Sequence, residues 1–430
     1  MRIVQIIPGS GGTFYCQNCL RDLDITTALR AQGHDVLVVP LYLPLTAGDA
    51  NVADGRIFYS AVGTYVKHQY PRLARIMPGA FLRMLETQAV LRMAAKFSSS
   101  TRAAGLVDLT VSMLRGEEGR QAAELENLAA WLRDDAGSRP DVICLSNCLL
   151  LGLARRLKAV LGVPVVCWLQ DEHVWVDAML PDESAQVWQA MHERAADVDA
   201  FISVSHVYAE RMSAKLGVSL ERIRTIHMGV DPKAYRQADP DRKPRTIGFL
   251  SRLAEGEGFG RFVEAFILLH RDPRFADVRM AATGGVAGRG TYVKKQWKRL
   301  REAGLSDLAE IVPNLFQADR ASFLEKLTLL SVPVPGGEAF GTYVIEAMAA
   351  GVPVIEPLVG AYSEIFKQAG CGVSCASEKP EDFVAAWAAL LEDSAKRKQE
   401  IKAGHDAVAR YFNLDRMACE TADFYKELCK

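Results

Sequence analysis

Short apolar runs rich in β-branched residues alternate along most of this chain with longer segments whose apolar positions recur at helical spacing. The first run, RIVQIIP at 2–8, is followed by Gly9, Gly11 and Gly12. A helical pattern then extends from about Phe14 to Gln32, and Gly33-His34-Asp35 turns the chain back into VLVVPLY. This is one strand–helix–strand unit with a glycine-rich first turn. Residues 60–134 read as largely helical. Beyond them the alternation resumes with DVICLS, LLLGLARRLKAVLG, VPVVCWL, DAFISVS, HVYAERMSAKLG and RIRTIHMGV. Runs so evenly apolar belong to parallel strands covered on both faces.

Residues 231–245, DPKAYRQADPDRKPR, break the pattern with charge and proline, and the alternation then starts afresh. TIGFLSR, a helix at 259–270, VRMAATGG, a helix at 291–303, AEIVPN, a helix at 320–328, SVPVP, a helix opening at GTYVIEAM, VPVIEP and further helices reach the end. The pattern predicts an α/β protein with two doubly wound halves joined by a linker. Such halves bind ligands at the carboxyl ends of their strands, so a cleft between two parallel sheets is the expected binding place. There is no repeat of solenoid period and no low-complexity tract.

Composition narrows the function. The 430 residues are 49% hydrophobic and 24% charged, with a net charge of −1. No excess of Lys and Arg exists to displace counterions, which excludes a general nucleic-acid binder. No stretch of about 18 apolar residues occurs, and MRIVQIIPGSGG lacks the features of a secretory signal, so a cytoplasmic protein is expected. The basic positions Lys67, Arg72, Arg75, Arg83, Arg92 and Lys96 suit a solvated helix face first and peripheral contact with an anionic membrane second. Nine cysteines at irregular spacing are expected to be reduced. Cys16 and Cys19 read as a packed helix start in preference to a metal or redox pair, and Cys144 and Cys148 as core.

The chemistry concentrates in GGEAFGTYVIEAMAAGVP at 336–353. Gly341 lets the backbone approach a ligand where a β-carbon would not. The first amides of the helix behind it, those of Thr342 and Tyr343, together with the positive end of its dipole, suit a diphosphate. Glu338 in the loop and Glu346 one turn inside can each accept hydrogen bonds from a vicinal diol. A second reading stands beside this one, in which Glu338 merely favours the dipole and Glu346 faces solvent.

The stretch EAFGTYVIEAMAAGVPVIE, with Gly360 and Glu364 after it, closely resembles the E-x7-E segment of the retaining family 4 glycosyltransferases of GT-B fold. IIPGSGG resembles the family's first-strand glycine loop. GHDVLVV, RIRTIHMGVD, GFLSRL and the final NLDRMACETADFYKEL fall in the family's order, and TVSMLRGEEGR resembles one of its subgroups. The resemblance covers most of the chain. It implies two Rossmann-like domains facing each other across a cleft. The acceptor domain would span 1–235, with a helical insertion at about 60–134, and be completed by a C-terminal helix at about 412–430 that crosses back. The donor domain would span 243–411.

The resemblance also implies roles. The donor is a nucleotide-diphosphate sugar, UDP- or GDP-linked, with no cofactor and no metal. Glu338 binds the hexose, Glu346 the ribose, the Thr342 and Tyr343 amides the phosphates, and Arg252 the leaving diphosphate. Gly11 and Gly12 face the donor from the other domain. The acceptor, a glycan, lipid, protein or small metabolite, is left open.

Two departures stand out. The family reads R-L-x-x-x-K-G, whereas this chain reads Arg252-Leu-Ala-Glu-Gly-Glu257-Gly258, with glutamate in place of the second phosphate-binding lysine. At ~4 Å and an effective dielectric of ~20 each charge pair is worth about 4 kcal/mol. Either Glu257 points away or another base, Arg261, Arg289 or Lys294, replaces the lysine. Where many relatives carry a His-Asp pair this chain has Gln170-Asp171, with His173 two residues on. Asp171 and His173 are therefore candidate polar groups near the sugar, while Trp168 and Trp175 read first as core. Ser203 and Ser205 line the site or cap the next helix. The expected function is retaining, metal-independent hexosyl transfer. The alternative is a degenerate homologue that binds a partner or glycan without turnover.

Overall fold

The computed structural model describes residues 1–9, 17–42, 106–134, 139–286, 290–313 and 317–430, with positions 46–47, 50–51, 58 and 137 between them. The contacts divide the chain into two units, Met1–Ile226 with Ala418–Lys430, and His227–Met417.

In the first unit, β1 (Arg2–Ile7), β2 (Asp35–Pro40), β3 (Val142–Leu145), β4 (Val165–Leu169), β5 (Ala200–Ser203) and β6 (Ile223–Thr225) form a parallel sheet in the order β2-β1-β3-β4-β5-β6. The register sets Ile3 against Val36 and Val142, and Cys167 against Phe201, so apolar pairs fill both faces. Helices α1 (Gln17–Ala31), α2 (Val107–Leu114), α3 (Ala122–Asp134), α4 (Ala154–Leu161), α5 (Glu172–Val176), α6 (Pro181–Arg194) and α7 (His206–Leu216) accompany it. The segment expected as one helix from Leu149 begins as a tight turn over Cys148–Leu153, because Asn147 accepts a hydrogen bond from the Leu149 amide and closes the first turn early. The pattern left α6 unassigned, although Pro181 at its first position with Asp182 and Glu183 behind it is a start signal. Of the region expected to be helical at 60–134, the described part carries α2 and α3, and the basic positions 67–96 lie outside the described residues.

In the second unit, β7 (Thr246–Leu250), β8 (Arg279–Gly284), β9 (Ala309–Pro313) and β10 (Leu329–Leu330) pair in the order β9-β8-β7-β10, all parallel. A single bridge from Leu330 to Val354 extends them toward the parallel pair β11 (Ile355–Pro357) and β12 (Val373–Cys375). The helices are α8 (Phe259–Leu269), α9 (Thr291–Glu302), α10 (Gln317–Leu324), α11 (Thr342–Ala349), α12 (Tyr362–Ala369), α13 (Pro380–Glu392), α14 (Ser394–Tyr411) and α15 (Leu414–Leu428). Phe249, Phe259, Phe262 and Trp387 stack at centroid separations of 5.2–5.4 Å in the core of this unit.

Two expectations shift here. SVPVP at 331–335 is not a strand, since the ladder ends with the Ser331 amide on the Gly248 carbonyl and Pro333 has no amide to continue it. The helix expected at 320–328 lies at Gln317–Leu324. It tightens through i→i−3 bonds at Lys326 and Leu327 before Thr328 joins β7. The polar stretch 231–245 packs on the second unit, with the Ala238 amide on the Ala350 carbonyl at 2.8 Å and the Arg397 guanidinium on the Pro240 carbonyl at 3.0 Å.

Cys144, Cys148, Cys167, Cys371 and Cys375 are buried free thiols, and burial pushes Cys144 and Cys371 up to about 12. They are core residues and poor nucleophiles. Among the described residues no helix is long and apolar enough to cross a membrane.

Candidate active site

Residues 336–341 fold into a tight turn that is exposed at Gly336 and buried from Glu338 onward. Gly336, Gly337 and Gly341 all take positive φ, and Gly341, at φ +83°, opens α11 without a side-chain cap. A β-carbon on Gly337 would lie 2.6 Å from the Val359 carbonyl, and one on Gly360 would lie 2.8 Å from the Glu338 amide nitrogen. Only glycines let these two backbones approach, and the Ala361 amide then bonds the Glu338 carbonyl at 3.1 Å. Glu338 is thereby fixed at the mouth of α11, 9% exposed. The Tyr343 hydroxyl lies 3.5 Å from its Oε1, and the hydroxyls of Tyr343 and Tyr362 are hydrogen-bonded to each other. Burial, then the neighbouring phenol and carboxylates, pushes Tyr343 well above its ordinary value, so its hydroxyl keeps its proton.

Thr342 and Tyr343 begin α11, where the first amides have no partner within the helix. Glu346 sits one turn in. It is buried, not solvent-facing, and it forms an ion pair with Arg320 and accepts from the Tyr235 hydroxyl at 3.1 Å. Beneath the turn, Glu356 is fully buried. Its Oε1 accepts from the Val332 amide at 2.5 Å, its Oε2 has no partner among the described residues, and burial raises its carboxyl well above the usual range. Glu364 pairs with His227 at 2.5 Å.

Arg252 follows β7 and Glu257 precedes α8. Glu257 does not point away. Its carboxylate is buried, forms an ion pair with Arg252 and accepts from Ser251 Oγ at 3.3 Å, while the Arg252 side chain remains 52% exposed. Gly258 at φ +77° carries the chain into α8, and a β-carbon there would lie 1.9 Å from the Pro333 carbonyl. Arg261, a candidate to replace the missing lysine, has partners of its own. It is engaged with Glu378 at 3.3 Å and the Pro333 carbonyl at 3.4 Å, Lys294 is exposed on α9, and Arg289 lies outside the described residues. A mixed-charge cavity of about 650 Å³ lies between α8 and α9, lined by Arg261, Tyr292, Lys295 and Arg299 among others. None of Glu338, Gly341, Thr342 or Glu346 lines it.

In the first unit, Gly11 and Gly12 lie outside the described residues. Asp171 opens α5 in the left-handed region at φ 53°, and the half-buried His173 follows it. The ring nitrogen Nδ1 of His173 is 3.2 Å from the Tyr208 hydroxyl, which is 2.8 Å from Glu172 Oε2. Gln170 donates to the Ser146 carbonyl at 2.9 Å. Trp168 is fully buried beneath the Arg21 guanidinium, as core packing required. Ser205 caps α7 by accepting from the Tyr208 amide.

Sequence reasoning missed Tyr235, Arg320, Tyr362 and Glu356 in the second unit, and Glu172 and Tyr208 in the first. Glu172 stood between two chosen residues, so its place was a usable signal. Arg320 carried none, because nothing in its local pattern says which carboxylate it reaches.

Comparison with known proteins decides the family. Residues 23–229 match the model of the glycosyl transferase 4-like domain, and residues 231–406 match that of glycosyl transferases group 1. The chain belongs to the family 4 glycosyltransferases of GT-B fold. A D-inositol 3-phosphate glycosyltransferase of Catenulispora acidiphila is 28% identical over 251 residues, which are 55% of this chain and 60% of that one. The chain thus matches less than two thirds of that relative's length. The glycogen synthase of Mycobacterium tuberculosis is 25% identical over 303 residues, 68% of this chain and 70% of the enzyme. Anabaena HepE, solved with UDP and glucose, superposes over 100% of both chains with a TM-score of 0.68 at 16% identity, which supports the shared fold.

Proposed function

We propose that this family member transfers a hexose from a nucleotide-diphosphate sugar to an acceptor hydroxyl, with retention and without a metal. The observation that carries this reading is the turn into α11. A left-handed glycine opens an uncapped helix directly behind a buried, backbone-fixed Glu338, with Glu346 one turn inside. The Thr342 and Tyr343 amides and the helix dipole suit the diphosphate, Glu338 the hexose hydroxyls and Glu346 the ribose. Arg252, half exposed, is the cation for the leaving group.

Glu257 fits as the group that orients Arg252. Its charge is met by the guanidinium, and the phosphate site leans on the helix terminus where relatives use a lysine. Asp171 and His173 are the groups of the first unit proposed to meet a sugar hydroxyl. UDP is the favoured nucleotide because HepE was solved with it, and the names of the matched relatives favour a polyol or glycan hydroxyl as acceptor.

The test is a calorimetric titration with UDP, GDP, ADP and their glucose or mannose conjugates, with and without EDTA. Micromolar binding of one nucleotide sugar, unchanged by the chelator, is expected. No binding across the panel would overturn the proposal.

A further inference from the structure

Glu172 is a carboxylate enclosed on every side by donors. It is 3% exposed, yet its Oε1 accepts from the Cys148 amide at 3.1 Å and its Oε2 from the Gln170 amide at 2.7 Å and the Tyr208 hydroxyl at 2.8 Å. Two of those donors are backbone amides and cannot reverse. Burial raises the Glu172 carboxyl, and all three donors pull against that rise. Both oxygens are held by backbone amides, which favour the carboxylate form, and a carboxylate has no proton to give, so Tyr208 donates its own to Glu172.

The consequence reaches His173. The Tyr208 oxygen, having donated its proton, can only accept from the imidazole nitrogen 3.2 Å away. Nδ1 of His173 must then carry the ring proton, and Nε2 must be a lone-pair acceptor. Nε2 has no hydrogen-bond partner among the described residues. The rings of His173 and Tyr208 stand 5.3 Å apart and 51° tilted, a packing that holds the imidazole in place.

We propose that Glu172 and Tyr208 are positioning residues that set His173 in its Nδ1–H tautomer, so that Nε2 accepts a hydrogen bond from a hydroxyl of the reacting sugars. The inference rests on the proposed transferase reading only for the identity of that hydroxyl; the tautomer stands by itself. The relay is also a reason for glutamine at position 170. With Gln170 bonded to the Ser146 carbonyl, the imidazole stands at 173, on the helix that Glu172 begins.

Burial, helped by nearby cations, keeps the ring neutral. Burial is the largest influence, followed by Arg211 on α7, which lowers its pKa; Asp177 at the end of α5 raises it and Lys215 on α7 lowers it, leaving His173 at about 4. Asp177 is itself held by Trp188 of α6 at 2.8 Å and lies 3.9 Å from Lys215. An acceptor at Nε2 is therefore available throughout the neutral range.

The experiment is a long-range nitrogen–proton correlation spectrum of the full chain with labelled histidine at pH 7.5, for wild type, Tyr208→Phe and Glu172→Gln. The wild type should show His173 protonated at Nδ1 only. Tyr208→Phe, which removes a single oxygen, should return His173 to a tautomer mixture. Turnover of UDP-glucose, followed as released UDP, should fall about tenfold in kcat in Tyr208→Phe with little change in KM for the donor. His173→Gln, which keeps an acceptor near the place of Nε2, should retain more turnover than His173→Asn. Protonation at Nε2 in the wild type would overturn the inference, as would a tautomer unchanged in Tyr208→Phe. A chain that binds no nucleotide sugar would defeat the transferase reading while leaving the tautomer readable.

Discussion

Single charges decide what the proposed diphosphate site in the second unit can offer. Arg252 is paired with Glu257, so the pair presents little net charge where relatives present two cations. Glu257→Gln keeps the hydrogen bonds to Ser251 and Arg252 and removes the negative charge. Donor affinity should rise about tenfold, far less than the unscreened ~4 kcal/mol, because water and the guanidinium already offset most of it. Arg252→Ala should lower kcat/KM at least ~100-fold. Isothermal titration and steady-state kinetics check both, and weaker binding in Glu257→Gln would show that the glutamate has a role of its own at the donor. Glu356 offers a pH test. Its carboxyl is raised above 4.5 by burial, so above that pH the unfolded chain releases a proton that the folded chain keeps. The contribution of Glu356 to stability must therefore fall as pH rises past 4.5. Glu356→Gln should remove that slope and be at least as stable as wild type at pH 8, read by urea denaturation at several pH values.

The turns that feed the helices are as specific as the charges. Gly258 and Gly341 both enter a helix from the left-handed region, but they differ in what surrounds them. A β-carbon at Gly341 meets the Tyr362 ring at 3.2 Å, and a ring edge can shift by a few tenths of an ångström. Gly341→Ala should therefore cost about 1–2 kcal/mol, the strain of a side chain at positive φ, and weaken donor binding by moving the first amides of α11. At Gly258 the obstacle is the Pro333 carbonyl at 1.9 Å, which is backbone and cannot yield. Gly258→Ala should cost more than Gly341→Ala and separate α8 from the loop before Glu338. Chemical denaturation of the two variants side by side gives the order. A larger loss at Gly341 would mean that the packing under Tyr362 is the tighter of the two.

At the scale of the whole molecule, the last thirteen residues belong to the unit that is distant from them in sequence, since Ala418–Lys430 group with Met1–Ile226. Thr421, Ala422 and Tyr425 are buried there, Arg224 lies over the Phe424 ring at 4.9 Å, and Glu427 pairs with Arg224 at 2.7 Å. Tyr425 lies beside Cys144 and Trp168, on β3 and β4. Deleting 418–430 should therefore destabilise the first unit by ~3 kcal/mol or more, the scale of removing a buried aromatic. Hydrogen exchange should rise in β3, β4 and β6 while β7 and β8 stay protected. Equal loss in both units would show that the helix supports the whole chain as one cooperative body.

Apolar periodicity determined the strands and most helices without any tertiary information, because a parallel strand buried on both faces must be apolar at every position. RIVQII, VVCWL and TIGFL each became strands, and the break at SVPVP was missed because its apolar count hid the missing proline amides. The turn into α11 was equally legible as a backbone feature, since glycine at 341 suits a close approach at a helix start and takes φ +83° there. What no local pattern contains is the partner of a charge. Glu257 read as a repulsion until the fold set it against Arg252, and the solvent-facing alternative for Glu346 stood until the fold buried it against Arg320, 26 residues upstream. The same holds for Glu172 and His173, whose side chains the fold brings to the Tyr208 hydroxyl at 2.8 and 3.2 Å. Strand and helix are fixed by neighbours along the chain. The direction of a proton or the sign of a site is fixed by neighbours in space, and these only the tertiary structure supplies.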